Sequence, residues 1–126
     1  MKIGIIIPTY NEDLNIYELL SKIKENLEFF EIIIVDDSEN KNIENIIFEF
    51  KKFTKYIYRG KKLGRGSAVL QGMNYLVNQT NVDVIIEMDS DLSHNPNELN
   101  KNLELFHSKK CDLLLSSRYT KKNKIF

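Results

Sequence analysis

The sequence predicts an α/β fold, a doubly wound and mostly parallel sheet. Three observations predict it. Short β-branched apolar runs recur along the chain, and stretches with helical apolar spacing separate them. The runs are apolar nearly throughout rather than alternating with polar residues, as expected of parallel strands buried on both faces. Strand and helix alternate without internal repeat or low-complexity linker, which is the pattern of a doubly wound sheet.

The elements follow in order. KIGIII reads as the first strand, ended by Pro8, and EIIIV and KYIY as the second and third. VDVIIEM and DLLLS supply a fourth and a fifth. Between the first two strands, Leu14, Tyr17, Leu20, Ile23 and Leu27 recur at helical spacing. Ile43, Ile46, Ile47 and Phe50 do the same after the second, and Ala68, Met73, Leu76 and Val77 less cleanly after the third. The last helix has the clearest start. Asn95 is a good N-cap, Pro96 suits the first helical position, and Leu99, Leu103 and Phe106 form its stripe. The tail KKNKIF reads as polar and frayed.

The chain has 126 residues, enough for one domain over residues 1–126 with a sizeable core. Lys plus Arg equals Asp plus Glu at 18 each, so no global charge draws it to nucleic acid or to an anionic membrane. Binding of any phosphate-rich ligand must come from local arrangement. A single cysteine, Cys111, permits no intrachain disulfide and points to a reducing, cytoplasmic compartment. The first apolar run, IGIII, is too short for a signal peptide, and nothing approaches the ~20 apolar residues of a membrane helix. A membrane-embedded enzyme is excluded on that reading, and peripheral association with the cytoplasmic membrane surface is not.

In open α/β sheets, ligands bind outside the carboxyl ends of the strands. Here those ends carry PTYNE, DDS, GKKLGRGS, DSDLSH and SSRY. Asp89 and Asp91 stand two apart after an apolar strand, so both carboxylates can reach one point. Such a pair needs a positive partner. A hard divalent cation held with substrate phosphates is the natural one, and the bland alternative is two solvated aspartates opening a turn. The strand-end context favours the metal.

Of Asp36 and Asp37, one is expected to satisfy turn amides and the other to accept from a base or ribose. In PTYNE, Thr9 or Asn11 could cap a helix and Glu12 suits its first turn, while Tyr10 offers a face on which a base could stack. GKKLGRGS fails both phosphate-loop patterns, since Arg65 and Val69 stand where each needs glycine. What survives is a basic loop in which Lys61, Lys62 and Arg65 could neutralise phosphate. Arg118 in SSRY could clamp phosphate bidentately. His94 and His107 have no partners at zinc spacing, and Cys111 reads as a core residue. A receiver domain would place its acidic pair after the first strand, which instead ends in Pro8.

Taken in order, PTYNE, IIIVDDS, KKLGRGSA, IIEMDSDLSHNP and SSRY resemble the family 2 glycosyltransferases of the nucleotide-diphospho-sugar transferase (glycosyltransferase A-type) fold. Within them the chain looks most like the dolichyl-phosphate (polyprenyl-phosphate) mannose synthases, over nearly all of residues 2 to 120. The resemblance implies that Pro8, Tyr10 and Glu12 line a nucleoside pocket closed by Val35 and Asp37. It implies that Asp89 and Asp91 hold Mg²⁺ or Mn²⁺ against the diphosphate, with Ser90 near the sugar nucleotide and Arg118 on phosphate.

The expected donor is GDP-mannose or a UDP-hexose, the expected acceptor a polyprenyl phosphate, and the expected chemistry inverting transfer of a hexose. Members of that family continue beyond this point with further sheet. The expectation is therefore a nucleotide-binding half that is a truncated product, acts with a partner chain supplying the acceptor half, or only binds nucleotide sugar.

Overall fold

The computed structural model describes residues 1–110 and 112–114. Strands β1 (Ile3–Thr9), β2 (Phe30–Asp36), β3 (Thr54–Tyr58) and β4 (Val84–Glu87) form one parallel sheet in the order β3-β2-β1-β4. Ile3 stands opposite Phe30 on one side and Val84 on the other, which sets the register of the inner strand β1. Every residue of β1 is buried, the physical reason that IGIII is apolar without alternation.

Among the described residues, four helices connect and cover the sheet: α1 (Ile16–Asn26), α2 (Asn42–Ile46), α3 (Arg65–Gln79) and α4 (Leu99–Ser108). Short 3-10 segments at Phe48–Phe53 and Pro96–Glu98 extend two of the connections. The strand period of two sorts the apolar side chains between two layers. Ile5, Ile7, Ile32 and Ile34 pack with Ile16, Leu20 and Ile23 of α1, Ile43 of α2 and Leu99 of α4. Ile6, Ile33 and Val35 point the other way, against Ala68 and Leu76 of α3. Each such side chain, taken from water, contributes about 1.5–3 kcal/mol.

Helix α3 rides close on β1 because two positions lack a side chain. A Cβ at Gly4 would sit 2.8 Å from a methyl of Leu76, and one at Gly72 would sit 2.7 Å from Cγ2 of Ile6. The close approach fixes where α3 starts, at the carboxyl edge of the sheet.

Several expected elements shift. Helix α1 starts at Ile16, and its buried stripe is Ile16, Leu19, Leu20 and Ile23. Leu14 precedes it and is 86% exposed, because the spacing from Ile16 gives a continuous face and the spacing from Leu14 does not. Ile43 to Phe50 divide between α2 and a 3-10 segment. In α3 the buried positions are Ala68, Gly72 and Leu76, while Met73 and Val77 are exposed.

Asn95 caps, but what it caps is the 3-10 turn Pro96–Glu98: it accepts a hydrogen bond from the Asn97 N–H at 3.0 Å, ahead of Pro96. Helix α4 itself starts three residues later, at Leu99, with no side-chain cap of its own. Asp112 to Leu114, the described part of the expected fifth strand, are not in the sheet, and Leu113 is 72% exposed. The rest of that run, Cys111, Arg118 and the KKNKIF tail lie outside the described residues. No helix among the described residues is long and apolar enough to cross a membrane.

Candidate functional site

A parallel sheet brings all its carboxyl ends to one edge. The chain runs outward from β1 to β2 and β3, then crosses to β4 on the far side of β1. The crevice between the ends of β1 and β4 is therefore a topological switch point, where open α/β sheets bind ligands. A cleft of about 270 Å³ opens there. Pro8, Thr9 and Tyr10 line it from β1, and Asp89, Ser90 and Asp91 from the segment after β4. Glu12, Asp37, Lys62, Gly64 and Arg65 complete most of its wall.

Short hydrogen bonds stitch these loops together. The Asp37 N–H donates to the Thr9 carbonyl at 2.9 Å, and the Asn11 N–H to Ser38 Oγ at 2.7 Å. Asn11 returns the contact by accepting from the Glu39 N–H at 3.3 Å. Its φ of 51° is a left-handed conformation that asparagine tolerates better than most residues. Ser90 Oγ donates to Thr9 Oγ1 at 3.2 Å, tying the β4 end to the β1 end. Glu12, expected in the first turn of a helix, instead accepts from Asn15 Nδ2 at 3.2 Å just before α1.

The aspartates of DDS have separate tasks. Asp36 is fully buried, and its two oxygens accept from the Ser38 N–H at 2.9 Å and the Tyr56 hydroxyl at 2.5 Å. Burial, and then that bond to Asp36, push the Tyr56 hydroxyl far above its ordinary value. Asp37 faces the cleft, but Arg59 grips it with Nε at 2.5 Å and Nη2 at 2.8 Å. Both side chains are only 6% exposed.

The Leu63 N–H adds a third bond to Asp37 at 3.0 Å, and Arg59 also donates to the Gly64 carbonyl and to Ser67. Burial opposes the Asp37 charge, yet the Arg59 and Leu63 bonds outweigh it and hold the carboxyl below its ordinary value. Arg59 was not among the sequence candidates. It directly follows KYIY, so the strand-end rule that found the others could have found it.

After β4, Asp91 is served by its own loop. It accepts from the Ser93 N–H at 3.0 Å, and the Ser93 hydroxyl and N–H lower its pKa below the ordinary value. Asp89 is held by a cation instead. Arg65 Nε and Nη2 lie 2.9 and 2.7 Å from its Oδ1, and Nη2 also meets Glu87. Opposite them, Lys62 Nζ sits 5.0 Å from the centre of the Tyr10 ring, which is 41% exposed.

Of the expected site residues, Pro8, Tyr10, Glu12, Asp37, Asp89, Ser90 and Asp91 come together in the cleft. The Val35 side chain does not; it is fully buried in the α3-side core. Arg118 lies outside the described residues. Carboxylate oxygens are hard donors suited to Mg²⁺ or Mn²⁺. No group of three or more acidic, His or Cys side chains stands at ligand spacing among the described residues. An ion at Asp89 and Asp91 would draw its other ligands from phosphate and water, as Mg²⁺ commonly does. Asp89 already holds a positive group, so the donor set fits such an ion.

The Glycosyl transferase family 2 model matches residues 4–126, and the chain belongs to that family. It is 37% identical over 129 residues to the dolichol-phosphate mannosyltransferase of Pyrococcus furiosus, covering 99% of this chain and 35% of that protein. It is 30% identical to the polyprenol monophosphomannose synthase of Mycolicibacterium smegmatis, over 91% of this chain and 44% of that one. The chain thus spans between a third and a half of the length of these relatives.

Among solved structures, a mannosyltransferase of Pyrobaculum calidifontis, in complex with GDP-Man and Mn²⁺, superposes with a TM-score of 0.68. It is 17% identical, over 83% of this chain and 32% of that one. Mycobacterium tuberculosis glucosyl-3-phosphoglycerate synthase, with Mn²⁺ and UDP, gives a TM-score of 0.64 at 19% identity, over 84% of this chain and 39% of that one. At these identities the likeness speaks for the nucleotide-sugar transferase fold alone.

Proposed function

We propose that the cleft binds the donor of a hexosyl transfer from a nucleotide-diphosphate sugar, GDP-mannose or a UDP-hexose, to a polyprenyl phosphate. The observation that carries this reading is the meeting of Asp89, Asp91, Lys62, Arg65 and Tyr10 in one cleft at the switch point. Such a donor has a planar base and a doubly charged diphosphate, and the cleft offers an aromatic face and a set of charges to match. The named activities of the two curated relatives support the sugar and lipid-phosphate classes.

Each side chain then has a task. Tyr10 stacks on the base, with Pro8 and Glu12 beside it. Lys62 supplies a mobile point charge to the phosphates. Asp89 and Asp91 would hold Mg²⁺ or Mn²⁺, which when bound supplies Lewis-acid stabilisation of the leaving diphosphate. An acceptor phosphate is already anionic at neutral pH, so its oxygen needs no strong general base to attack the anomeric carbon. Attack opposite the departing nucleoside diphosphate, whose bond to that carbon breaks, inverts the centre.

Calorimetry with GDP and UDP tests the reading. Binding should require Mg²⁺ or Mn²⁺ and be largely lost in Asp89→Asn and Asp91→Asn. Tyr10→Ala should weaken nucleotide by roughly 1–3 kcal/mol, the worth of one base stacked on an aromatic ring, and leave pyrophosphate binding nearly unchanged. Equal nucleotide affinity with a chelator present would rule out the metal role.

A further inference from the structure

The Asp89 carboxylate is unusual in the cleft because its close partner is a movable cation. Two guanidinium nitrogens of Arg65 converge on Oδ1. Among the described residues, Oδ2 has only longer contacts, with Ser93 Oγ at 3.5 Å and His94 Nε2 at 3.9 Å. Asp91, by contrast, is satisfied by the Ser93 N–H, and Asp37 is locked by a buried arginine. Arg65 is half-exposed, with 51% of its side chain open to solvent, so it can move without disturbing the core.

Its backbone position sharpens the point. Arg65 is the first residue of the fifteen-residue helix α3, whose N-cap, Gly64, has no capping side chain and whose first turn holds no acidic residue. A helix N-terminus is electropositive and disfavours a cation. Arg65 is therefore retained there by Asp89 and Glu87, not by its own helix. A phosphate brought to the same helix end would be attracted both to the free N–H groups and to the guanidinium. Arg65 and a divalent ion are like charges, so they compete for the Asp89 carboxylate.

We propose that Arg65 is an internal cation that occupies Asp89 in the ligand-free protein and passes to the phosphates of an incoming nucleoside diphosphate. The acidic pair is then released to a divalent ion only when nucleotide arrives with it. This inference rests on the donor-site reading and adds an order to it. Metal alone meets a pair already half-neutralised, and metal with nucleotide meets two carboxylates with no arginine on either. Glu87 keeps Arg65 within reach of the cleft after Asp89 is released.

The experiment measures Mn²⁺ binding by electron paramagnetic resonance for wild type, Arg65→Gln and Arg65→Lys, each alone and with GDP or UDP. Nucleotide affinity is measured alongside by calorimetry, and circular dichroism confirms folding. Arg65→Gln should bind Mn²⁺ alone about tenfold more tightly, the effect of removing one charge-assisted competitor, and should bind nucleotide with Mn²⁺ more weakly than wild type. Arg65→Lys, which keeps the charge and loses the two-nitrogen grip, should fall between.

Unchanged or weaker Mn²⁺ binding by Arg65→Gln overturns the inference alone, provided Mn²⁺-dependent nucleotide binding survives and is still lost in Asp89→Asn. Tighter Mn²⁺ binding with undiminished nucleotide affinity overturns the transfer to phosphate. Failure of every form to bind GDP or UDP with Mn²⁺ overturns the donor-site reading, and this inference with it.

Discussion

Asp37 accepts three hydrogen bonds before any ligand arrives, two from Arg59 and one from the Leu63 amide. Its first effect is thus on the loop that carries Lys62, and contact with a nucleoside would use what acceptor capacity is left. Removing one member of a buried pair leaves the other charged and unpaired, which costs roughly 3–5 kcal/mol. Asn keeps an acceptor, so Asp37→Asn should lose about 3 kcal/mol, the low end of that range, in urea unfolding at pH 7.

The pH dependence has a definite sign. The folded pKa of Asp37 lies below its ordinary 3.8. Its contribution is therefore complete above that value and disappears as pH falls through it toward the lower folded value. Urea titrations from pH 7 to pH 3 should show an acid decline that is shallower in Asp37→Asn. A decline of equal slope in both proteins would remove Asp37 from the acid sensitivity.

At the level of elements, α3 is the part whose placement decides the site, because its first residue is Arg65 and its loop carries Lys62. The helix lies where it does because Gly72 and Gly4 let it approach β1. Gly72→Ala gains about 1 kcal/mol in helix propensity but forces its Cβ to 2.7 Å from Ile6, a fully buried residue. Overpacking costs of 1–3 kcal/mol outweigh the gain. The expected net loss is about 1 kcal/mol, or roughly 4 °C in Tm. Gly66 has nothing within 4 Å of the same built atom, so Gly66→Ala should leave Tm unchanged or raise it. Thermal melts of the two variants should move apart, and a shared direction would refute the packing account.

For the molecule as a whole, the proposed function makes the layers away from the cleft scaffold and puts ligand binding at the carboxyl edge of the sheet. A ligand that binds only the folded state at a hundred times its Kd adds about 2.7 kcal/mol of stability. GDP or UDP with Mn²⁺ should therefore raise Tm. Hydrogen exchange should slow at residues 9–12, 37–38, 60–68 and 88–94, and remain unchanged along the outer faces of α1 and α4. Protection spread evenly over the sheet would signal global stabilisation without a site at this edge.

The alternation of apolar runs determined the parallel sheet, because strands buried on both faces must be apolar throughout. The Asn95 cap ahead of Pro96 was equally legible, since capping is a contact within one turn of chain, although the turn it caps is 3-10 and α4 follows it. So was the edge at which polar residues gather, which follows from parallel topology alone. Where helix faces begin was less legible. Leu14 and Ile16 differ by two positions and both open a run at helical spacing, and it is Ile16 that the core with Ile5 and Ile7 takes in.

Tertiary structure alone decided which charges meet. Asp37 finds Arg59 across 22 residues and Asp89 finds Arg65 across 24. Asp36 and Asp37 are adjacent letters, yet Asp36 ends β2 bonded to Tyr56 while Asp37, just past it, meets Arg59. Ion pairing is a through-space interaction that falls with distance and rises with burial, and neither distance nor burial is written in residue order.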